Sequence, residues 1–421
     1  MDRISLTHES HLSKKAAEKK HLLQSDPKSR RDIDDFYPDM QRIESDIHDQ
    51  VMKHLDCDFS VYTSADVERA LSKPSLTIED LKALLSPAAE GYTEQMADIA
   101  REKTSRYFGN SVYIFTPLYI ANHCNNYCVY CGFNRYSPVK RMKLTIEQIE
   151  HEMQVISKSG MEEILILTGE DQDRSPVDYI CKSCTLAKKY FRTVAVEVYP
   201  MNVSDYRRLH ECGVDYVTVF QETYDKEKYE KYHLSGRKRI WRYRFDAQER
   251  ALMAGMTGVS FSALFGLSDH RYDALATALH AYFLQRKYPH AEISLSCPRI
   301  RPSIDSGYTV ENAISESELC RILCAYRIFL PFAGITVSSR ESEKFRNGIV
   351  KICASKVSAG VSTGIGDHES KYESNVSTDT EQFEINDGRS LEKMKNDMTE
   401  CGLQPVLNDH IYINTEDKNE A

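Results

Sequence analysis

The sequence predicts an α/β protein: a complete or nearly complete TIM-type (βα)8 barrel with an N-terminal helical segment and a C-terminal extension. Three observations lead there. From residue 111 onward, short apolar runs alternate with helical periodicity, the pattern of parallel strands joined by crossover helices. Several of these runs end in polar residues, as they do where an active site occupies the C-terminal face of such a barrel. The chain has 421 residues, which suits one barrel with appendages.

Residues 1–35 are polar and rich in Lys, Arg, Asp and Ser, and a flexible arm or frayed helix is expected. Residues 36–110 read as the helical segment. Phe36, Ile43, Ile47, Val51 and Leu55 recur at roughly helical spacing. Thr77 with Asp80 marks a helix start, and Pro87 opens a further helix that ends near Gly109. The barrel is expected over 111–362. Its strands fall at 112–120, 162–170, 193–200, 216–223, 258–266, 291–299, 334–341 and 352–360. Helices fill the intervals near 145–159, 176–190, 204–212, 225–232, 241–254, 271–287 and 315–330, the first opened by Thr145 and Gln148 as a capping box. The extension, 363–421, holds a polar loop over 364–387, a helix over 388–402 closed by Gly402, and a short last strand.

Composition removes several classes of function. A formal net charge of −9 argues against a general nucleic-acid binder. No run approaches the length of a membrane-spanning helix. The first residues, MDRISLTHESHLSKKAAEKK, lack the apolar stretch of a secretory signal. Twelve cysteines in such a chain point to metal or cluster ligation in a reducing, cytoplasmic setting.

The densest chemistry is FTPLYIANHCNNYCVYCGFN, residues 115–134, where Cys124, Cys128 and Cys131 stand at C-x3-C-x2-C. Three thiolates are one short of a closed tetrahedral zinc site. On a [4Fe–4S] cluster they leave one iron open to a small ligand, which makes the cluster a reagent. A zinc knuckle borrowing His123, as part of a non-catalytic metal-binding scaffold, is the competing reading. With Tyr130 before the last cysteine and Gly132-Phe133 after it, the stretch resembles the radical S-adenosylmethionine (SAM) superfamily. That resemblance implies a cluster on Cys124, Cys128 and Cys131 whose open iron chelates SAM.

Polar residues gather at the other strand ends: Thr168-Gly169-Glu170, Glu197 with Tyr199, Gln221-Glu222, the run from Ser296 to Pro302, and Ser338-Ser339-Arg340-Glu341. Arg299 and Arg301 offer forked donors for a carboxylate, on a loop stiffened by Pro298 and Pro302. Cys181 and Cys184 lie in an expected helix with no second pair, and Cys320 and Cys324 read as core. His233 is expected at the surface rather than at the barrel mouth.

The segments CVYCGF, TGE, EVYP, QETY, FSALFGLSD, SCPRIRP and SSRES occur in this order, with SPAAE before them and GLQPV after. Together they resemble the 2-iminoacetate synthase family, the tyrosine lyases of thiamine synthesis. The resemblance implies cleavage of the Cα–Cβ bond of L-tyrosine to 2-iminoacetate and p-cresol. It implies SAM contacts from Tyr130, Glu170, Glu197, Tyr199, Gln221 and Glu222, with Glu170 receiving the SAM ammonium. Ser296, Arg299 and Arg301 would hold the substrate carboxylate. A thiazole synthase and an electron donor such as flavodoxin or ferredoxin are the implied partners. The related lyases of hydrogenase maturation carry a second cluster near the C-terminus. Here only Cys353 and Cys401 follow Cys324, too few to bind one. The loop GVSTGIGDHESKY, 360–372, departs from the family's Pro-Gly-Gly pattern, and the N-terminal arm is longer than expected.

Overall fold

Strands form where β-branched and aliphatic runs can be buried on both faces, against the helices outside and the barrel lumen inside. The computed structural model describes residues 12–301, 308–368 and 380–407. Its strands are β1 (Ser111–Ala121), β2 (Tyr127–Cys128), β3 (Glu163–Thr168), β4 (Thr193–Glu197), β5 (Tyr216–Thr218), β6 (His233–Ser235), β7 (Gly258–Phe261), β8 (Glu292–Ser296), β9 (Gly334–Val337), β10 (Lys356–Ser358) and β11 (Gln404–Val406). Eight of them form a closed parallel barrel in the order β1-β3-β4-β5-β7-β8-β9-β10. Tyr113, Ile114 and Phe115 pair with Lys356, Val357 and Ser358 to close it. β11 lies parallel beside the start of β1, from Ser111 to Tyr113. β2 and β6 form a separate antiparallel ribbon at the barrel mouth.

The helices are α1 (Lys14–Ser25), α2 (Ile47–Met52), α3 (Ser64–Leu71), α4 (Ile78–Leu85), α5 (Thr93–Phe108), α6 (Ile146–Lys158), α7 (Val177–Ala187), α8 (Val203–Glu211), α9 (Lys226–Tyr232), α10 (Trp241–Phe245), α11 (Ala247–Met253), α12 (His270–Lys287), α13 (Glu316–Phe329) and α14 (Glu343–Ile349), with a last helix over Leu391–Glu400. The capping boxes read from Thr77 with Asp80 and Thr145 with Gln148 are both formed. α5 packs on α13, and α2 and α4 pack on α12, so the N-terminal helices cover one flank of the barrel. No described helix is long and apolar enough to cross a membrane.

The structure departs from the sequence reading at four places. Strands at the mouth are shorter than expected: β5 stops at Thr218 and β9 at Val337, because the polar residues beyond them turn over the opening. The helix expected over 241–254 breaks at Asp246, whose carboxylate accepts from the Arg242 Nε at 2.9 and 3.0 Å. Pro87 opens a 3-10 turn, and the α-helix begins only at Thr93. Residues 12–35 are no loose arm. α1 is capped by Ser13, and Leu23 is buried against Tyr127, Tyr136 and Leu234. Pro302, the distal part of the 360–372 loop and the first eleven residues lie outside the described residues.

TIM barrels are ordinarily filled by layers of bulky aliphatic side chains. Here Phe115, Leu165 and Leu167 fill one side of the lumen, while Thr218, Ser260, Ser294, Ser296, Thr336, Ser338 and Ser358 face it from the other. Small hydroxyl side chains leave space, and a cavity of about 260 Å³ runs into the barrel from the mouth.

Candidate active site

Cys124, Cys128 and Cys131 all line that cavity. The loop carrying them is pinned from several sides. The Arg141 guanidinium donates to the carbonyls of Asn122 (2.6 Å), Phe133 (2.9 Å) and Asn134 (2.5 Å). Cys128 pairs with His233 across the β2–β6 ribbon. Gly132 has no room for a side chain, since a Cβ there would stand 2.3 Å from the Gln382 carbonyl oxygen. Burial pushes the Cys124 thiol up to about 11 and Cys128 well above the ordinary thiol value. Iron binding must therefore displace protons. Among the described residues no three His, Cys, Asp or Glu side chains converge tightly enough for a single ion. The three thiols open on one cavity, and as thiolates they could hold three irons of a cluster while leaving a fourth open.

Above the thiols sits a charged knot. Glu170 accepts from Arg244 Nη1 at 2.8 Å and Asn126 Nδ2 at 3.1 Å, with Lys238 Nζ 3.7 Å away. Burial works to raise Glu170, but Arg244 and Lys238 outweigh it and hold the carboxyl below its usual range. Glu222 accepts from Lys238 Nζ at 2.7 Å and Arg244 Nη2 at 3.4 Å. It holds a left-handed backbone, φ 71°, a conformation uncommon outside glycine. Glu197 faces the same cavity, and burial, reinforced by Glu222, pushes it up to about 7.

Tyr130 lines the cavity and is hydrogen-bonded to His233 Nε2 at 2.8 Å. His233 Nδ1 lies 2.8 Å from the Tyr229 carbonyl, which can only accept. The Nδ1 proton is therefore fixed, and Nε2 accepts from the Tyr130 hydroxyl. His233 is fully buried, not at the surface. Burial depresses its basicity, which keeps the ring neutral.

Most strand-end residues meet at the cavity: Cys124, Cys128, Cys131, Tyr130, Glu170, Glu197, Glu222, Ser296 and Arg301 all line it. Three do not. Tyr199 is buried behind the strand ends and donates to the Ser175 carbonyl at 2.8 Å. Gln221 is buried with its amide 3.5 Å from the Trp241 carbonyl. Arg299 faces away and is held by Glu341, with Nε to Oε1 at 3.0 Å, and by the Ile314 carbonyl at 3.0 Å. Side chains alternate along a strand. Thr218, Phe220 and Glu222 line the cavity and Gln221 does not; Ser296, Pro298, Ile300 and Arg301 line it and Arg299 does not.

Beyond β9, Ser338, Ser339 and Arg340 also line the cavity. Its guanidinium lies 3.5 Å from the centre of the Phe383 ring. Among the described residues it has no ion-pair partner. Burial lowers its pKa, against the opposing pull of Tyr119, Glu197, Glu222 and Cys131. Sequence reading also missed Asn126, Lys238 and Arg244. A signal existed for the last two: RKRIWRYR packs five cations into residues 237–244 of a net-acidic chain.

Residues 118–279 match the model of the radical SAM superfamily, and residues 296–404 match that of the biotin and thiamin synthesis associated domain. The 2-iminoacetate synthase of Escherichia coli K12 is 37% identical over 348 residues, covering 82% of this chain and 91% of that protein. The 2-iminoacetate synthase of Salmonella typhimurium LT2 is 36% identical with the same coverage. Among solved structures, the HydG maturase of [FeFe]-hydrogenase superposes with a TM-score of 0.79 at 29% identity, covering 86% of this chain and 81% of that one. The cavity with its three thiols is the candidate site for the [4Fe–4S] cluster and SAM that the superfamily uses, and the chain belongs to the 2-iminoacetate synthase family of radical SAM lyases.

Proposed function

We propose that this enzyme cleaves the Cα–Cβ bond of L-tyrosine to 2-iminoacetate and p-cresol, and that the 2-iminoacetate serves thiazole formation in thiamine biosynthesis. The observation that carries the reading is a shared chamber. The cluster thiols and the Arg340 guanidinium, which has no ion-pair partner among the described residues, line one cavity, so a radical source and a carboxylate anchor would face the same space. The cluster and SAM, when bound, supply a 5′-deoxyadenosyl radical. Glu170, kept ionised by Arg244 and Lys238, receives the SAM ammonium. Arg340 and Arg301 hold the tyrosine carboxylate, with Ser296 Oγ close by. Anchoring that carboxylate fixes the neighbouring amino group, from which the hydrogen atom is taken. Phe115, Tyr119, Leu165 and Leu167 supply apolar and aromatic contacts for the ring.

The hydrogenase-maturation type of lyase needs ligands for a second cluster. After Cys324 the chain offers only Cys353, buried in the core, and Cys401. The reaction proposed is the single cleavage, with a thiazole synthase as acceptor and a flavodoxin or ferredoxin as reductant. Anaerobically reconstituted protein given SAM, reductant and L-tyrosine should release p-cresol together with 5′-deoxyadenosine. Release of 5′-deoxyadenosine with no p-cresol would overturn the tyrosine assignment.

A further inference from the structure

The N-terminal segment, residues 12–41, lies against the outside of the loop whose inside binds the cluster. Leu23 of α1 is buried among Tyr127, Tyr136 and Leu234, with Leu12 and Ala16 beside it. Gln24 Nε2 donates to the Tyr127 hydroxyl at 2.7 Å. Tyr127 stands between Cys124 and Cys128 in the chain and pairs with Ser235 in the β2–β6 ribbon. Past α1, Arg30 Nε and Nη2 donate to the carbonyls of Leu23 (2.7 Å) and Gln24 (3.1 Å), tying the segment back to the end of its own helix.

The segment then runs over residues 237–243. The Ile33 carbonyl accepts from the Trp241 amide at 2.9 Å, and the Arg31 carbonyl accepts from the buried Arg239 guanidinium. Asp39 takes a forked pair from Arg237 at 3.0 and 2.7 Å. Met40 is buried with Ile240 and Tyr243. The inner side of that stretch carries Lys238 and, one residue beyond it, Arg244, the two cations that hold Glu170 and Glu222. One strap therefore grips the outer faces of both halves of the cofactor site, the thiol loop and the cationic wall.

We propose that residues 12–41 are an external brace that positions the cluster loop. Leu23 and Gln24 act as positioning residues through Tyr127. The brace lowers the frequency with which the loop opens, and so slows loss of the cluster. This rests on the cluster reading of the three cysteines, which iron and sulfide analysis of the wild-type protein checks separately.

The test compares Leu23→Asp with Leu22→Asp. Leu22 is 49% exposed on the same helix, so its variant carries the charge without burying it, whereas a carboxylate at Leu23 cannot stay docked. Hydrogen exchange on the metal-free protein should show residues 124–136 and 233–235 opening at least about tenfold more often in Leu23→Asp than in Leu22→Asp. The reconstituted Leu23→Asp protein should bleach in air faster by a similar factor, and Leu23→Met should restore both readouts. Unchanged loop exchange and bleaching in Leu23→Asp, with α1 itself exchanging freely, would overturn the proposal.

Discussion

At the scale of single residues, the site turns on which way a side chain points. Arg299 and Arg340 stand at neighbouring strand ends, yet one is bound to Glu341 outside the cavity and the other lines the cavity. The two substitutions should separate. Arg340→Gln removes a charge-assisted anchor worth about 2–3 kcal/mol, so KM for tyrosine should rise roughly 30- to 150-fold while SAM affinity holds. Steady-state kinetics alongside SAM binding checks this. Arg299→Gln strands the buried Glu341 carboxylate, which costs about 3–5 kcal/mol of stability, and should lower Tm with little change in KM. The sequence shows both arginines but not which one faces inward. Alternation orders side chains along a strand, yet a strand apolar on both faces does not say which parity is the lumen. Glu170 was legible because it follows Thr-Gly at a strand end, where the chain must turn. Asn126 carried no such mark, although its amide joins Glu170 and its Oδ1 accepts from the Lys238 amide at 2.9 Å.

At the scale of elements, the cluster loop depends on close backbone approach. Gly132 lies against Gln382, a residue of the C-terminal extension, and Gly169 lies as near to the His123 carbonyl, 2.3 Å from a hypothetical Cβ. Gly132→Ala should push the thiol loop from the segment at 382 and reduce iron incorporation, while Gly348→Ala, in open space on α14, should not. Iron and sulfide content of the two reconstituted variants is the check. The order of strands and helices could be read from periodicity because each apolar run had to be buried on both faces. Strand lengths could not, because polar residues such as Gln221 or Ser339 extend a pattern without extending the pairing. The β2–β6 ribbon was invisible for another reason. Two or three residues give no periodic signal, and the partners lie in distant parts of the chain.

At the scale of the whole molecule, stability carries a buried acid. Asp273 on α12 is 1% exposed and accepts from the Tyr224 amide at 2.8 Å and the Thr223 hydroxyl at 3.0 Å. Burial pushes it up to about 8. The folded value lies above the unfolded value of about 4, so the native state holds the proton more tightly. That contribution is complete below about pH 4 and disappears as pH rises through about 8. Wild-type Tm should therefore fall between about pH 4 and about pH 8 and level off above that, and Asp273→Asn should flatten the fall. Thermal melts across that range decide it.

The barrel closes between its first and last strands, β1 on β10, and the C-terminal β11 lies against β1 as well. On the ribosome, the three thiols emerge long before Lys356 and Val406 do. The nascent chain thus exposes its cluster loop with no lumen behind it and no β6 beside it. Iron and sulfide delivered at that stage would meet an incomplete cradle. Cofactor loading should follow release of the finished polypeptide, and a pulse-labelled chain still attached to the ribosome should carry no cluster iron.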